Sequence, residues 1–136
     1  MKRTASAHWE GDLKTGKGNI SSQSTVLNNT QYSFNTRFAD GIGTNPEELL
    51  AAAHAGCFTM AVSATFAQEG IITTSLDTVA TLTLEGLDVT GIHLSIKGVV
   101  PGITKEKFEE ITKSAEKNCI ISKALKVSII SEAQLL

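Results

Sequence analysis

The sequence predicts an α+β fold in which a mainly antiparallel sheet packs on a long central apolar helix and a shorter amphipathic helix. Three observations lead to this prediction. Alternating β-branched and polar residues fill much of the first 38 positions, and they return after position 72. A long apolar run with helix-start signals lies between these stretches, and a charged helical pattern follows them. The 136 residues fit a single domain, 1–136, without an internal repeat or linker.

The first 38 residues predict three antiparallel strands in a meander. Alternation covers about 3–9 and 18–26, and glycine-rich turns lie between them. In segment 31–38 the residues Tyr32, Phe34, Thr36 and Phe38 alternate with their neighbours, which is typical of a third strand. Arg37 is therefore expected at the end of that strand.

The long helix is predicted to begin at about position 45 and to end at Gly70. Asn45 or Thr44 is suited to cap it, and Pro46 suits the first turn. Segment 49–67 approaches the length of a membrane span, but it is mostly alanine and carries polar residues such as His54. We interpret it as a buried core helix.

The rest of the chain predicts two strands, a second helix and a final strand. The strands cover 72–85 and 89–100 and are joined near Gly86. The helix, 104–118, carries an apolar stripe that includes Phe108, and Cys119 returns to almost the same angle eleven residues later. Cys119 is therefore expected to face the core. The final strand covers 125–136.

Composition and charge exclude several classes of function. The 12 basic and 14 acidic residues give a net charge of −2, with no dense basic stretch that would bind nucleic acid. The N-terminus lacks the apolar run of a secretory signal, so we expect a cytoplasmic protein with no membrane partner. Cys57 and Cys119 lie 62 positions apart, unlike a Cys-x-x-Cys motif. In a reducing compartment, two such thiols indicate inert core residues or redox chemistry.

The long helix carries the candidate catalytic residues. Glu47, His54 and Cys57 recur at steps that place them on one broad face, and burying them without partners would cost several kcal/mol in total. Arg37 is the best candidate partner, because its charge is permanent and Glu47 would orient it. A cation near Cys57 would favour the thiolate, which is the form that attacks a peroxide.

A continuous helix would separate Glu47 from Cys57 by roughly 15 Å, at 1.5 Å per residue. Three arrangements would resolve this: Arg37 bridges the gap, the helix breaks, or a second subunit supplies its own Arg37 and Glu47. We favour the second subunit, since a partner would also cover the surplus apolar surface of the helix.

Other interpretations of these residues remain open. Cys57 could be an inert core residue, and Arg37 with Glu47 an ordinary ion pair. Cys57 could also form an incomplete zinc site with His54 and Cys119. Alternatively, Cys57 and His54 could form a nucleophile pair for acyl transfer. The simplest interpretation of His54 is a core histidine whose hydrogen bonds are satisfied. An inward-pointing Cys119, however, could condense with an oxidised Cys57 to form a disulfide.

Several segments together resemble one known family. They are Ala-His-Trp-Glu-Gly-Asp at 7–12, Phe-Asn-Thr-Arg-Phe at 34–38, and the run from Thr44 to Met60, with Cys119 before Ser-Lys-Ala-Leu at 122–125. The chain resembles the OsmC/Ohr family, named for osmotically inducible protein C and the organic hydroperoxide resistance proteins. His54 places the resemblance closer to the OsmC branch, since the organic hydroperoxide resistance proteins commonly have a tyrosine at this position. Ile120 departs from the family, where a proline often follows the second cysteine.

The resemblance implies a fold, an activity and a set of site residues. It implies an intertwined homodimer with active sites at the interface, which reduces organic hydroperoxides, and hydrogen peroxide more slowly, without metal, haem or flavin. By position, Cys57 would be the peroxidatic thiol and Cys119 the resolving thiol. Arg37 and Glu47 would activate Cys57 and position the hydroperoxide. An external dithiol, such as that of a lipoyl-bearing protein, would restore the enzyme. The alternative function is a non-catalytic zinc-holding or ligand-binding module.

Overall fold

The structure, a computed structural model, describes every residue from Met1 to Leu136. It has six strands and four helices, and the predicted α+β class is confirmed. The chain divides into two compact units, residues 1–49 and 50–136. The elements follow in the order β1 (Ala5–Glu10), β2 (Lys17–Ser22), β3 (Thr30–Tyr32), α1 (Phe34–Phe38), α2 (Pro46–Gln68), β4 (Ser75–Glu85), β5 (Asp88–Val99), α3 (Lys105–Asn118), α4 (Ile120–Ala124) and β6 (Ser128–Leu135).

The first unit contains the predicted meander. Strands β1, β2 and β3 pair antiparallel in that order. The rings of Trp9 and Tyr32 pack at 5.4 Å between centroids beside Gly18. A Cβ atom at Gly18 would lie only 2.4 Å from the Tyr32 ring, so this close packing requires glycine.

The prediction of a strand throughout 31–38 is wrong. Strand β3 ends at Tyr32, and the short helix α1 begins at Phe34. Ser33 caps this helix: its hydroxyl accepts from the Thr36 N–H at 3.3 Å, and the Thr36 hydroxyl accepts from the Ser33 N–H at 2.8 Å. This reciprocal capping box stabilises a helix start despite the strand-like alternation. Arg37 therefore lies in α1 and not on a strand.

The second unit is built on a three-stranded sheet in the order β4, β5, β6. Strands β4 and β5 pair antiparallel, whereas β5 and β6 pair parallel. The stripe predicted on the second helix is confirmed, because Phe108 of α3 is fully buried and stacks on Phe66 of α2 at 5.9 Å between ring centroids. The fully or almost fully buried apolar residues of α2, β5 and α3 are Phe58, Val62, Phe66, Ile92, Leu94, Ile96, Phe108, Ile111 and Ala115.

Helix α2 buries only one stripe within the chain. That stripe consists of His54, Phe58, Val62 and Phe66, at four-residue steps. Other apolar positions stay open, and Met60 is 74% exposed. By length and composition the helix could cross a membrane, a test that the core helix of a soluble protein also passes, and 22% of its most apolar window is buried in the chain. The expected core helix is therefore only partly covered by its own chain.

Helix α4 was not predicted. Cys119 ends α3 and begins α4, with an extended backbone (φ −55°, ψ 131°) that interrupts the helical path. Its N–H still donates to the Ala115 carbonyl at 2.9 Å, and its own carbonyl accepts from the Lys123 N–H at 3.0 Å. The thiol is therefore held at a tight junction between two helices.

Candidate active site

Two free thiols meet in the second unit. Cys57 lies on α2 and is half-buried, while Cys119, at the junction of α3 and α4, is 1% exposed. The two side chains line the same cavity, and each shifts the pKa of the other. The inward orientation predicted for Cys119 is confirmed, and the residues that the sequence placed 62 positions apart are brought into contact.

The surroundings of Cys57 favour its thiolate. Burial is the largest single influence and opposes ionisation, but hydrogen bonds from the Cys119 thiol and from the backbone N–H groups of Ile121 and Ile120 act against it. The nearby charge of Lys123 adds to them, and together these groups hold the pKa of Cys57 below that of an ordinary cysteine. All of these favourable groups belong to residues 119–123.

Cys119 has the opposite character. Burial raises its pKa, and the neighbouring Cys57 raises it further. The nearby donor groups of Ser122 and Ile121 reduce this rise in pKa without cancelling it. The proton of the pair therefore stays on Cys119, and the negative charge forms on Cys57. In such a pair, the Cys57 sulfur has more thiolate character and is the better nucleophile, whereas the Cys119 sulfur stays protonated.

His54 is fully buried and bonds across the unit to α4. Its Nε2 lies 2.8 Å from the Ser122 hydroxyl oxygen, while its Nδ1 has no hydrogen-bond partner. Burial lowers the pKa of His54, so its imidazole is neutral near pH 7. The expectation of a fully satisfied core histidine is therefore only half met.

An apolar cavity of about 630 Å³ opens beside the two sulfurs. Two large apolar side chains at its edge, Met60 and Ile120, are 74% and 73% exposed. Apart from the thiols, its lining is formed by Ala53, Met60, Ala61, Ala64, Asn118, Ile120 and Ile121. A cavity with one polar side chain besides the thiols suits an apolar substrate chain better than a charged one.

The first unit contains the second pair of predicted site residues. Arg37 donates to Oε1 of Glu47 from Nε at 2.7 Å and from a terminal nitrogen at 2.6 Å. The Glu47 side chain is 14% exposed, and its buried Oε2 atom has no partner. Arg37 also lies over the Phe38 ring at 5.2 Å and lines a cavity of about 270 Å³ with Trp9 and Tyr32. The predicted contact between Arg37 and Glu47 is confirmed.

The structure bears on two alternatives for these residues, a break in α2 and a zinc site. Helix α2 runs unbroken from Pro46 to Gln68, so a break between Glu47 and Cys57 is wrong. No group of three or more His, Cys, Asp or Glu side chains is placed to hold a metal ion, which leaves the zinc alternative without a donor set. The action of Arg37 on Cys57 stays a prediction.

The sequence did not indicate the groups that favour the Cys57 thiolate. The N–H groups of Ile120 and Ile121 and the charge of Lys123 contribute only because α4 begins directly after Cys119. That helix has no side-chain cap at its start, so its start carries no capping signal in the sequence. The one available indication was the departure at Ile120, since a residue other than proline retains its backbone N–H.

An α+β fold in which two free thiols of opposite pKa shift line one apolar cavity is typical of a thiol redox protein. The family model for OsmC-like proteins matches residues 39–132. Peroxiredoxin OsmC of Escherichia coli (strain K12) is 45% identical over 139 aligned positions, which cover 99% of this chain and 97% of that protein, and the same protein of Shigella flexneri gives the same values. The chain belongs to the OsmC family.

Solved structures share this fold. The organic hydroperoxide resistance protein OhrB of Bacillus subtilis is 26% identical, with a TM-score of 0.64 and 98% of each chain covered. An OsmC-like protein of unknown function from Vibrio cholerae has a TM-score of 0.75 at 16% identity, covering 98% of this chain and 99% of its own. An OsmC-like protein of Mycoplasma pneumoniae also reaches 0.75, at 15% identity, covering 100% and 98%.

Proposed function

We propose that this protein is a cysteine-based peroxidase that reduces organic hydroperoxides to alcohols and water, and hydrogen peroxide more slowly. The observation that carries the proposal is the contact between Cys57 and Cys119, in which one thiol is favoured to ionise and the other keeps its proton. Membership in the OsmC family and 45% identity to a protein named peroxiredoxin support it. The apolar cavity beside the sulfurs suits the organic part of such a substrate.

The cycle begins at Cys57. Its thiolate attacks the distal oxygen of the hydroperoxide and the O–O bond breaks, so the alkoxide leaves and takes up a proton to become the alcohol. Cys57 becomes a sulfenic acid. Arg37 stabilises the negative charge that develops on the oxygens, and Glu47 orients Arg37 through their ion pair.

Cys119 completes the oxidative half of the cycle. Its sulfur attacks the Cys57 sulfenic acid, the S–O bond breaks, and water leaves as the Cys57–Cys119 disulfide forms. An external dithiol then reduces the disulfide, and a lipoyl group on a partner protein has the right chemistry for this. The cycle requires no metal, haem or flavin.

A homodimer is part of the proposal. The open apolar face of α2, with Met60 at its centre, is the surface that a second copy would cover, and the partner would bring its Arg37 and Glu47 to Cys57. The whole chain, 1–136, would act as one domain of a cytoplasmic protein, without nucleic-acid or membrane partners. The full-length match to the Escherichia coli protein supports the single domain.

The test is peroxide consumption by the purified protein with dihydrolipoamide as reductant. Cys57→Ser is expected to abolish turnover, and Cys119→Ser to permit one oxidation per chain and then to leave Cys57 open to overoxidation. Arg37→Ala is expected to lower kcat/KM by about 10²-fold, the loss typical of a group that stabilises transition-state charge. Normal turnover by Cys57→Ser would refute the proposal.

The competing function, a non-catalytic module, predicts a different thiol count. One equivalent of hydroperoxide should reduce the free thiols from two to none per chain if the protein is a peroxidase. An unchanged count would support ligand binding without catalysis, and stoichiometric zinc in the purified protein would support a structural metal site.

A further inference from the structure

A buried hydrogen bond joins His54 to Ser122, in the short helix that begins at the resolving Cys119. His54 lies one helical turn before Cys57 on α2, and Ser122 lies one turn after Cys119 on α4. The bond between His54 Nε2 and Ser122 Oγ, at 2.8 Å, therefore joins the two elements that carry the sulfurs. Both partners are buried, with His54 fully inaccessible and Ser122 8% exposed.

The tautomer of His54 decides which partner donates in its hydrogen bond with Ser122. A neutral imidazole carries one proton, and the Nδ1 atom of His54 has no partner. A proton on Nε2 uses the single available bond and leaves only a lone pair unpaired at Nδ1, so we assign the proton to Nε2. Nε2 then donates to the Ser122 oxygen, and the hydroxyl proton of Ser122 is free to point at the sulfur of Cys119. Ser122 follows Cys119 by three residues at the start of α4, and its hydroxyl is one of the groups that favour ionisation of that thiol.

We propose that His54 and Ser122 are positioning residues for the resolving step, in which the Ser122 hydroxyl stabilises the charge that develops on the Cys119 sulfur. His54 acts through Ser122 by fixing the hydroxyl in the donating orientation. This inference rests on the proposed function, since it assigns roles within the same two-thiol cycle.

The chemistry of the step explains why Cys119 needs such a donor. The S–S bond forms as the S–O bond of the Cys57 sulfenic acid and the S–H bond of Cys119 break, and the thiol proton leaves with the hydroxyl group as water. Negative charge grows on a sulfur that is 1% exposed, where no solvent can stabilise it. The Ser122 hydroxyl would stabilise this charge from within the protein. Its hydrogen bond with His54 would strengthen the effect, because hydrogen bonds in a preorganised network polarise one another.

The test separates the two chemical steps. The purified protein is mixed with one equivalent of cumene hydroperoxide and quenched at intervals with dimedone or N-ethylmaleimide, and intact-mass analysis gives sulfenic acid and disulfide over time. We expect Ser122→Ala to lower the ratio of the resolving rate to the oxidation rate by about 10-fold, the effect of one hydrogen bond to a developing charge. Ser122→Thr, which keeps the hydroxyl, should restore most of the ratio.

Ser131→Ala is the matched control. Ser131 is also 8% exposed, but it lies in β6 and bonds to Glu116, away from the sulfurs. A ratio in Ser122→Ala equal to that in Ser131→Ala would overturn the inference. If Ser122→Ala does not fold, His54→Gln and His54→Leu replace it: the ratio should fall in the Leu variant and recover in the Gln variant, and equal ratios would overturn the inference. Absence of both sulfenic acid and disulfide in the unsubstituted protein would instead refute the proposed function itself.

Discussion

Burial raises the pKa of both thiols, yet the hydrogen bond that Cys119 donates to Cys57 separates them, lowering the pKa of one and raising that of the other. The contact therefore assigns the two roles before any substrate arrives. In the proposed cycle, Cys57 is the nucleophile, and Cys119 then reacts with the oxidised Cys57. Removal of either residue should change the chemistry of the other.

The thiol of Cys119 should be needed for full reactivity of Cys57. In Cys119→Ala the donor is lost, so the pKa of Cys57 should rise and its alkylation by iodoacetamide at pH 7 should slow roughly ten-fold, the effect of a hydrogen bond to a charged group. Cys119→Ser retains a hydroxyl donor and serves as the control, with a smaller effect. The pH dependence of alkylation in the two variants measures this difference, and identical profiles would contradict the prediction.

The backbone N–H of Ile120 should also stabilise the Cys57 thiolate. Ile120→Pro removes this N–H at the first position of α4, where proline is tolerated, and the extended backbone of Cys119 suits the residue before a proline. We expect a folded protein with little change in Tm but a higher pKa for Cys57. Ile120→Ala keeps the N–H and should match the unsubstituted protein. Ultraviolet absorbance of the thiolate against pH compares the variants, and the prediction fails if the proline and alanine curves coincide.

The exposed positive charge of Lys123 should help to lower the pKa of Cys57. Lys123→Glu should raise the pKa of Cys57 and slow its alkylation at pH 7 by no more than about five-fold, because an exposed charge is a weak influence. The effect should shrink as salt is added, since ionic screening acts within about 10 Å at 0.1 M. Lys126→Glu, an equally exposed reversal three residues away, is the control. A salt-independent effect, or an equal effect at Lys126, would show that charge is not the cause.

The same substitution at two glycines should have opposite effects on stability. Gly56→Ala places a methyl group where no atom lies within 4 Å, and alanine in a helix interior is favoured over glycine by about 1 kcal/mol. Gly98→Ala places one 2.6 Å from the buried Phe108 ring, and such overpacking costs about 1–3 kcal/mol. Urea unfolding measures both changes. The gain in Gly56→Ala is expected of protein diluted until it is monomeric, because the proposed second copy covers this face of α2, and a loss of stability under that condition would contradict the prediction.

Periodicity and capping predicted most of the fold. The start of α2 at Pro46 and the stripe around Phe108 were correct, because each depends on local chemistry that a short segment carries. Segment 31–38 was misread because an alternating pattern and a capping box coincide there, and the hydrogen bonds between Ser33 and Thr36 decide the outcome. The parallel pairing of β6 depends on distant contacts that alternation does not encode.

The site was predictable in its side chains but not in its backbone. Cys57, Cys119 and the contact of Arg37 with Glu47 followed from residue types, spacing and family resemblance. The backbone donors at the start of α4 could not be predicted in this way. Every non-proline residue has the same backbone N–H group, and its effect on Cys57 depends on the direction in which the folded backbone points it. Sequence reasoning therefore identified the two thiols and the ion pair that the structure contains, and it missed the backbone groups beside Cys57.

Because β5 and β6 are parallel neighbours, the polypeptide that leaves one must travel back along the sheet before it enters the other. Cys119 lies on that return path, so its sulfur is tethered on both sides to the same piece of sheet. Oxidation and reduction can then shift it only locally, without loosening either strand. In the proposed cycle, the pairing of β5 with β6 is therefore expected to be the same in the oxidised and the reduced protein.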